Sequence, residues 1–147
     1  AQVLTPGRII ILESAGIQYE YRVSEDGMRI QPATLALTWS REGGIAGFCD
    51  RLTVFRSGEV YGGSCKSQPD GTMGTFASLL SIDEMDQFQA WMNEYGTVTL
   101  DASDPKGVAD GMTLVLNLYG SGSAKPVKDT ETELFTWAQA LYQKLYK

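Results

Sequence analysis

The sequence predicts an α+β domain in which an antiparallel β-sheet is packed on one face by two α-helices. Three observations carry that expectation. The chain reads as strands, a helix, strands and a helix, without the strand–helix–strand alternation that builds a parallel sheet. Its 147 residues suit a single domain, and a chain of this size buries roughly two thirds of its unfolded surface on folding. It is 43% apolar and 20% charged, the balance of a globular chain.

Residues 8–12 and 17–23 read as strands, the second with Ile17, Tyr19, Tyr21 and Val23 on one face. Glu25-Asp26-Gly27 is a turn signal. Pro32 closes an opening section, residues 1–33, expected to add strands to the sheet. Residues 34–40 form the next predicted strand, with Leu35, Leu37 and Trp39 on a core-facing side. A glycine-rich loop, residues 43–47, leads into a hairpin over 48–64 with Arg56-Ser57-Gly58 at its tip. A three-residue hairpin loop needs a left-handed third residue, and Gly58 supplies it. That register pairs Phe55 with Glu59 and therefore sets Cys49 opposite Cys65. A disulfide is expected, against the alternative of two free thiols. Phe48, Leu52, Val54 and Val60 share one face; Cys49, Arg51, Thr53, Tyr61 and Cys65 share the other.

Residues 66–78 are turn-rich and read as a loop. Ser81 and Glu84 form a capping box, and Leu80 with Met85 suits a hydrophobic staple. Met85, Phe88, Met92 and Tyr95 then follow at helical spacing, with Gly96 as the stop. Residues 97–100 are a short strand, 101–111 an acidic loop, and 112–119 a strand burying Met112, Leu114, Leu116 and Leu118. Gly120 to Ala124 reads as a flexible turn, and Val127 as the start of a short edge strand. Thr130 and Glu133 suggest a second capping box ahead of Leu134, Ala138, Leu141 and Leu145.

Composition removes much chemistry. The chain has no histidine, which excludes a Ser-His-Asp triad, a Cys-His dyad and every His-ligated metal site. A net charge of −6 opposes binding to nucleic acid or anionic lipid. Gly120-Ser121-Gly122 lacks the glycine spacing of a nucleophile elbow, and no phosphate-loop pattern occurs. Asp101, Asp104 and Asp110 share one loop but do not match a calcium-loop spacing. No cofactor, metal or catalytic activity is expected. A carboxylate-dependent glycosidase is the less favoured alternative, because 18 scattered acidic residues single out no pair. No apolar run approaches the ~18 residues of a membrane-spanning helix. The chain opens Ala1-Gln2-Val3, so any signal segment is expected to have been removed. The cysteines are the one compartment clue, and the expected disulfide predicts a protein secreted or held in the cell envelope.

The most distinctive stretch is Arg41-Glu42-Gly43-Gly44-Ile45-Ala46-Gly47-Phe48. Its glycines serve either a turn requiring positive φ or a loop kept bare so that a partner's backbone can approach. On the second reading the partner-binding residues are Arg41, Glu42, Gly43, Gly44, Gly47, Arg51 and the surface aromatic Tyr61.

Residues 40–54, S-R-E-G-G-I-A-G-F-C-D-R-L-T-V, resemble the opening of emfourin-like proteins, where S-G-G-F-A-G precedes an arginine-containing strand. Leu80-Ser81-Ile82-Asp83-Glu84 and Ala109-Asp110-Gly111-Met112 follow in a similar order, so the resemblance spans residues 34–147. Gly43, Gly44, Gly47 and Arg51 are the matching positions. Ile45 stands where that family usually has an aromatic, and residues 1–33 and the Cys49–Cys65 pair fall outside its pattern. The resemblance implies a small, non-catalytic bacterial inhibitor of thermolysin-like metalloproteases. Such an inhibitor would present a carboxylate or a backbone carbonyl to zinc, and Glu42 beside the glycines is the candidate carboxylate. It equally fits an envelope structural protein or a lipoprotein anchored upstream of Ala1.

Overall fold

A computed structural model describes residues 6–14, 16–67 and 69–146. In chain order the elements are β1 (Gly7–Ser14), β2 (Ile17–Ser24), β3 (Ile30–Pro32), β4 (Leu35–Gly43), β5 (Phe48–Phe55), β6 (Glu59–Ser67) and β7 (Met73–Leu79). There follow α1 (Ile82–Glu94), β8 (Thr97–Asp101), β9 (Met112–Tyr119) and α2 (Lys128–Leu145). The strands form two sheets, β1-β2-β3 and β7-β6-β5-β4-β9-β8, and every pairing between named strands is antiparallel. The fold joins antiparallel sheet to two helices, as expected, but is more sheet-dominated than one sheet under two helices.

The larger sheet carries the core because its strands alternate. Leu37 and Trp39 of β4, Leu52 and Val54 of β5, Val60 of β6, Leu116 and Leu118 of β9 and Leu100 of β8 are all buried. They form one cluster with Phe88, Trp91 and Met92 of α1 and Leu134, Ala138, Leu141 and Tyr142 of α2. Each large aliphatic side chain removed from water contributes roughly 1.5–3 kcal/mol. The predicted burial of Trp39 is observed. A register irregularity between Leu35 and Leu37 lets both Ala36 and Leu37 be buried.

The β5–β6 hairpin has the predicted register, with Asp50 opposite Ser64 and Val54 opposite Val60. Gly58 at its tip has φ +92°. Cys49 and Cys65 form a disulfide, with Cα atoms 5.4 Å apart.

Other expectations are corrected. Residues 73–79 are not loop but the edge strand β7, which needs only backbone bonds to β6 and one inward aromatic, Phe76. The turn chemistry is confined to the preceding residues, where the Asp70 carboxylate accepts from the Thr72 amide and hydroxyl. The opening section does add strands, but to a separate sheet, and none of β1–β3 is buried.

Helix α1 begins as predicted. The Glu84 amide donates to Ser81 Oγ at 3.3 Å, and the Ser81 amide donates back to Glu84 Oε2 at 2.8 Å. Its end differs, because Gly96 is not a left-handed stop. Tyr95 caps the helix in extended conformation. The turn at 120–124 then supplies donors to the last carbonyls: Ser121 to Met92 at 2.8 Å, Gly122 to Tyr95 at 3.0 Å and Ala124 to Glu94 at 3.1 Å. A Cβ on Gly122 would lie 2.1 Å from the Glu94 carbonyl oxygen. What reads as a flexible turn is therefore a helix cap.

Helix α2 starts at Lys128, a turn earlier than the expected Thr130–Glu133 box. Val127 is its N-cap, not a strand residue, and caps without a side-chain bond. Asp129 and Glu131 in the first turn complement the helix dipole instead. Among the described residues no helix is long and apolar enough to cross a membrane.

The disulfide closes a loop with a sequence separation of 16. The chain-entropy model values such a closure at roughly 3 kcal/mol, less what the native hairpin already supplies. Alkylation of unreduced, denatured protein should add no label by intact mass. Reduction should lower the melting temperature by about 4–8 °C or less without unfolding the domain at room temperature.

Candidate functional site

The β4–β5 connection is a tight turn imposed by its glycines. Gly43, Gly44 and Gly47 have φ of +80°, +70° and +57°, a region that side chains disfavour. At Gly43 space is closed as well, since a Cβ there would lie 2.6 Å from the Gly111 carbonyl oxygen. The Gly47 amide donates to Gly44 O at 2.8 Å, and the Gly44 amide donates to Gly111 O at 3.2 Å. The second bond ties this turn to the loop after β8. Lys66 Nζ donates to the Ala46 carbonyl from β6. The Cys49–Cys65 bridge lies directly behind.

The predicted site residues divide. Glu42, Gly43, Gly44, Gly47 and Arg51 do meet at this end of the sheet. The Arg51 guanidinium pairs with Glu42 Oε1 across the β4–β5 ladder, and both side chains are about half exposed. Glu42 is thus engaged by Arg51 rather than presented on its own. Arg41 goes to the other face. It pairs with buried Asp50 through Nε at 3.0 Å and Nη2 at 2.6 Å. Its guanidinium also lies 3.7 Å from the Phe48 ring centroid, a cation–π contact. Tyr61 pairs with Thr53 near the opposite end of the hairpin and makes an edge-to-face contact with Phe55. At ~3.3 Å per residue that is over 15 Å along β5 from the glycine turn. Tyr61 is exposed but does not belong to the glycine-turn surface.

The turn presents a residue that the list of partner-binding candidates lacks. Ile45 is 92% exposed at its tip. The only signal in the sequence was that it stands where the resembled pattern has an aromatic. The adjoining loop displays Val108, 51% exposed, and holds Asp110 at φ +58°. In that loop Asp104 Oδ2 accepts from the Met112 amide at 2.7 Å, and Asp101 Oδ1 from the Ser103 amide at 2.9 Å. The Ser103 bonds hold the exposed Asp101 carboxyl below its usual range. These acids shape the loop by capping amides. Among the described residues no group of three or more Cys, Asp or Glu is placed to hold a metal ion.

Beneath the turn the Arg41–Asp50 pair is completed from α2. The Tyr142 hydroxyl donates to Asp50 Oδ1 at 2.9 Å, and its ring lies 5.5 Å from Trp39. Burial, then the bond to Asp50, pushes the Tyr142 hydroxyl well above its ordinary pKa.

No protein family, curated protein or solved structure matches the chain.

Tyr142→Phe leaves one oxygen of a buried carboxylate without its donor and should cost about 1–3 kcal/mol at neutral pH. A hydroxyl whose folded pKa is raised contributes stability that is full below its unfolded pKa of about 10 and is lost as pH climbs toward the folded value. Urea melts from pH 7 to pH 11 should therefore show the gap between wild type and Tyr142→Phe narrowing above about pH 10.

Proposed function

We propose that this chain is an exported, non-catalytic protein-binding module that inhibits a metalloprotease through the turn at residues 43–47. The observation that carries this reading is Ile45, an aliphatic side chain held almost wholly in water by a turn whose backbone is fixed. A flexible loop loses affinity to ordering on binding, whereas a preorganised one does not. Positive-φ glycines, bonds to Gly111 and from Lys66, and the disulfide behind all restrict this turn. Ile45 is suited to enter an apolar specificity pocket, with exposed Val108, on the loop that the Gly44–Gly111 bond ties to this turn, as a second contact.

The resemblance of residues 40–54 to emfourin-like proteins selects the partner class: a thermolysin-like metalloprotease acting outside the cell. The disulfide supports an oxidising compartment. Arg51 and Glu42 act as a brace at the base of the turn. The backbone around Ile45, rather than Glu42, is what approaches the enzyme.

Titration against thermolysin with a peptide substrate tests this. Wild type should inhibit at micromolar concentration or below. Ile45→Asp should weaken inhibition at least 30-fold, the size of an interface hot spot of about 2 kcal/mol. Its folding stability should stay within about 0.5 kcal/mol of wild type, because the side chain touches solvent. Absence of inhibition by wild type, or equal inhibition by Ile45→Asp, overturns the reading for that enzyme.

A further inference from the structure

The three-stranded sheet poses a problem that the core does not solve. All eight residues of β1 are exposed, including Ile9 at 64%, Ile11 at 58% and Leu12 at 54%. Among the described residues the strand lies at the edge of its sheet, paired with β2 alone. Natural edge strands are shielded by proline, inward charge, bulges or brevity. β1 has none of these: it pairs with β2 residue by residue from Gly7 to Ser14 without irregularity. Its central run, Ile9-Ile10-Ile11-Leu12, contains no charge.

We propose that β1 is the seam of a symmetric dimer, in which it pairs antiparallel with β1 of a second copy of this chain. The first argument is hydrogen bonding. Counting outward from the closing Ser14–Ile17 pair, the alternation of an antiparallel ladder turns the amides of Gly7, Ile9, Ile11 and Glu13 away from β2. A two-fold axis normal to the sheet at Ile10 sets Ile9 of one copy opposite Ile11 of the other, and Ile10 opposite Ile10. Every outward amide within the overlap then meets a carbonyl. The second argument is charge. Arg8 stands at the N-terminal end of the run and Glu13 at the C-terminal end. In the register set by that axis Arg8 falls opposite Leu12 of the other copy and Glu13 opposite Gly7, so no like charges meet; parallel in-register pairing would set Arg8 beside Arg8 and Glu13 beside Glu13. The third is geometry. Rotation about this axis keeps both copies' faces on the same side, so the apolar face carrying Ile10, Leu12, Tyr19 and Tyr21 becomes continuous across the seam.

One strand from each copy makes a small interface, below ~1,200 Å² in total, so a weak and concentration-dependent dimer is expected. Sedimentation equilibrium of the full chain from about 1 to 500 μM should show a monomer–dimer equilibrium with micromolar dissociation. Ile11→Pro removes an outward amide and leaves the β1–β2 bonds intact; it should be monomeric throughout that range. Ile9→Lys with Ile11→Lys, which sets cations against each other across the seam, should be monomeric too. The near-ultraviolet signal of Trp39 and Trp91 should be unchanged in both variants. Amide exchange at Ile9, Ile11 and Glu13 should slow as wild-type concentration rises, whereas Ile10 and Leu12 should be protected at every concentration. A wild type that stays monomeric, a dimer that survives Ile11→Pro, or growth beyond the dimer overturns the proposal. Protease inhibition is read separately, because Ile45 lies on the other sheet.

Discussion

A buried charge must be paired, and that requirement organises the end of the larger sheet where the glycine turn sits. The Asp50 side chain is 8% exposed and that of Arg41 12%. Breaking such a pair costs about 3–5 kcal/mol, because the remaining charge stays buried. The pair therefore constrains its surroundings. Arg41 and Asp50 are direct partners in the β4–β5 ladder, so a slip of β5 by one residue would turn Asp50 and Leu52 onto the solvent face and leave Arg41 buried without its partner. The second Asp50 oxygen is taken by Tyr142, so α2 must lie where its hydroxyl reaches β5. Tyr142 in turn stacks on Tyr146, and nearby Lys144 donates to Glu84 at the start of α1. Burial alone would raise the Glu84 carboxyl. The Lys144 ammonium and the Ser81 capping bonds outweigh it and hold that carboxyl below its usual range. One ion pair thus connects strand register, helix docking and helix capping.

The two sheets differ in what stabilises them. The larger sheet exchanges one wet face for a shared core with both helices. The smaller sheet has hairpin bonding and cross-strand contacts such as Ile10 with Tyr21 and Leu12 with Tyr19, but no buried residue. It is tied to the start of β4 by hydrogen bonds: the Glu20 amide donates to Thr34 Oγ1 at 2.6 Å, and the Ala33 amide to Glu20 O at 2.8 Å. Three strands are near the minimum for independent stability, and then only with an apolar face covered.

How far the sequence could be read depended on whether a signal was local. The β5–β6 register was legible because a turn residue with one permitted conformation, Gly58, fixed every pair back to the cysteines. The α1 cap was legible because both halves of its box lie within four residues. The strand β7 was not, because its glycine, serine and threonine describe a loop until β6 is there to bond to. The start of α2 was misplaced because a plausible Thr130–Glu133 box outranked a side-chain-free cap at Val127. Arg41 is the most instructive case. Strand parity puts it on the same face as Leu37 and Trp39, and puts Asp50 with Leu52 and Val54. The inward pair was thus written in the alternation, but the proximity of Arg41 to the glycines drew it into the surface site. Ile45 was visible only as a departure from an aromatic position, since exposure at a turn tip is set by backbone torsions that composition does not state.

Those torsions explain why an isoleucine stays in water beside a well-packed core. A collapsed loop would cover it if the backbone were free to bend inward. The left-handed residues on either side, Gly44 and Gly47, fix the direction in which the Ile45 side chain leaves the turn, and the bond between them prevents it from opening. The space below is already filled, since Phe48 lies against the Arg41 guanidinium and Arg41 is held by Asp50. Exposure of Ile45 is therefore enforced from beneath by the same ion pair that sets the strand register. The apolar tip and the buried charge are two ends of one arrangement: the charge cannot leave without loosening the turn, and the turn cannot fold inward without displacing the charge.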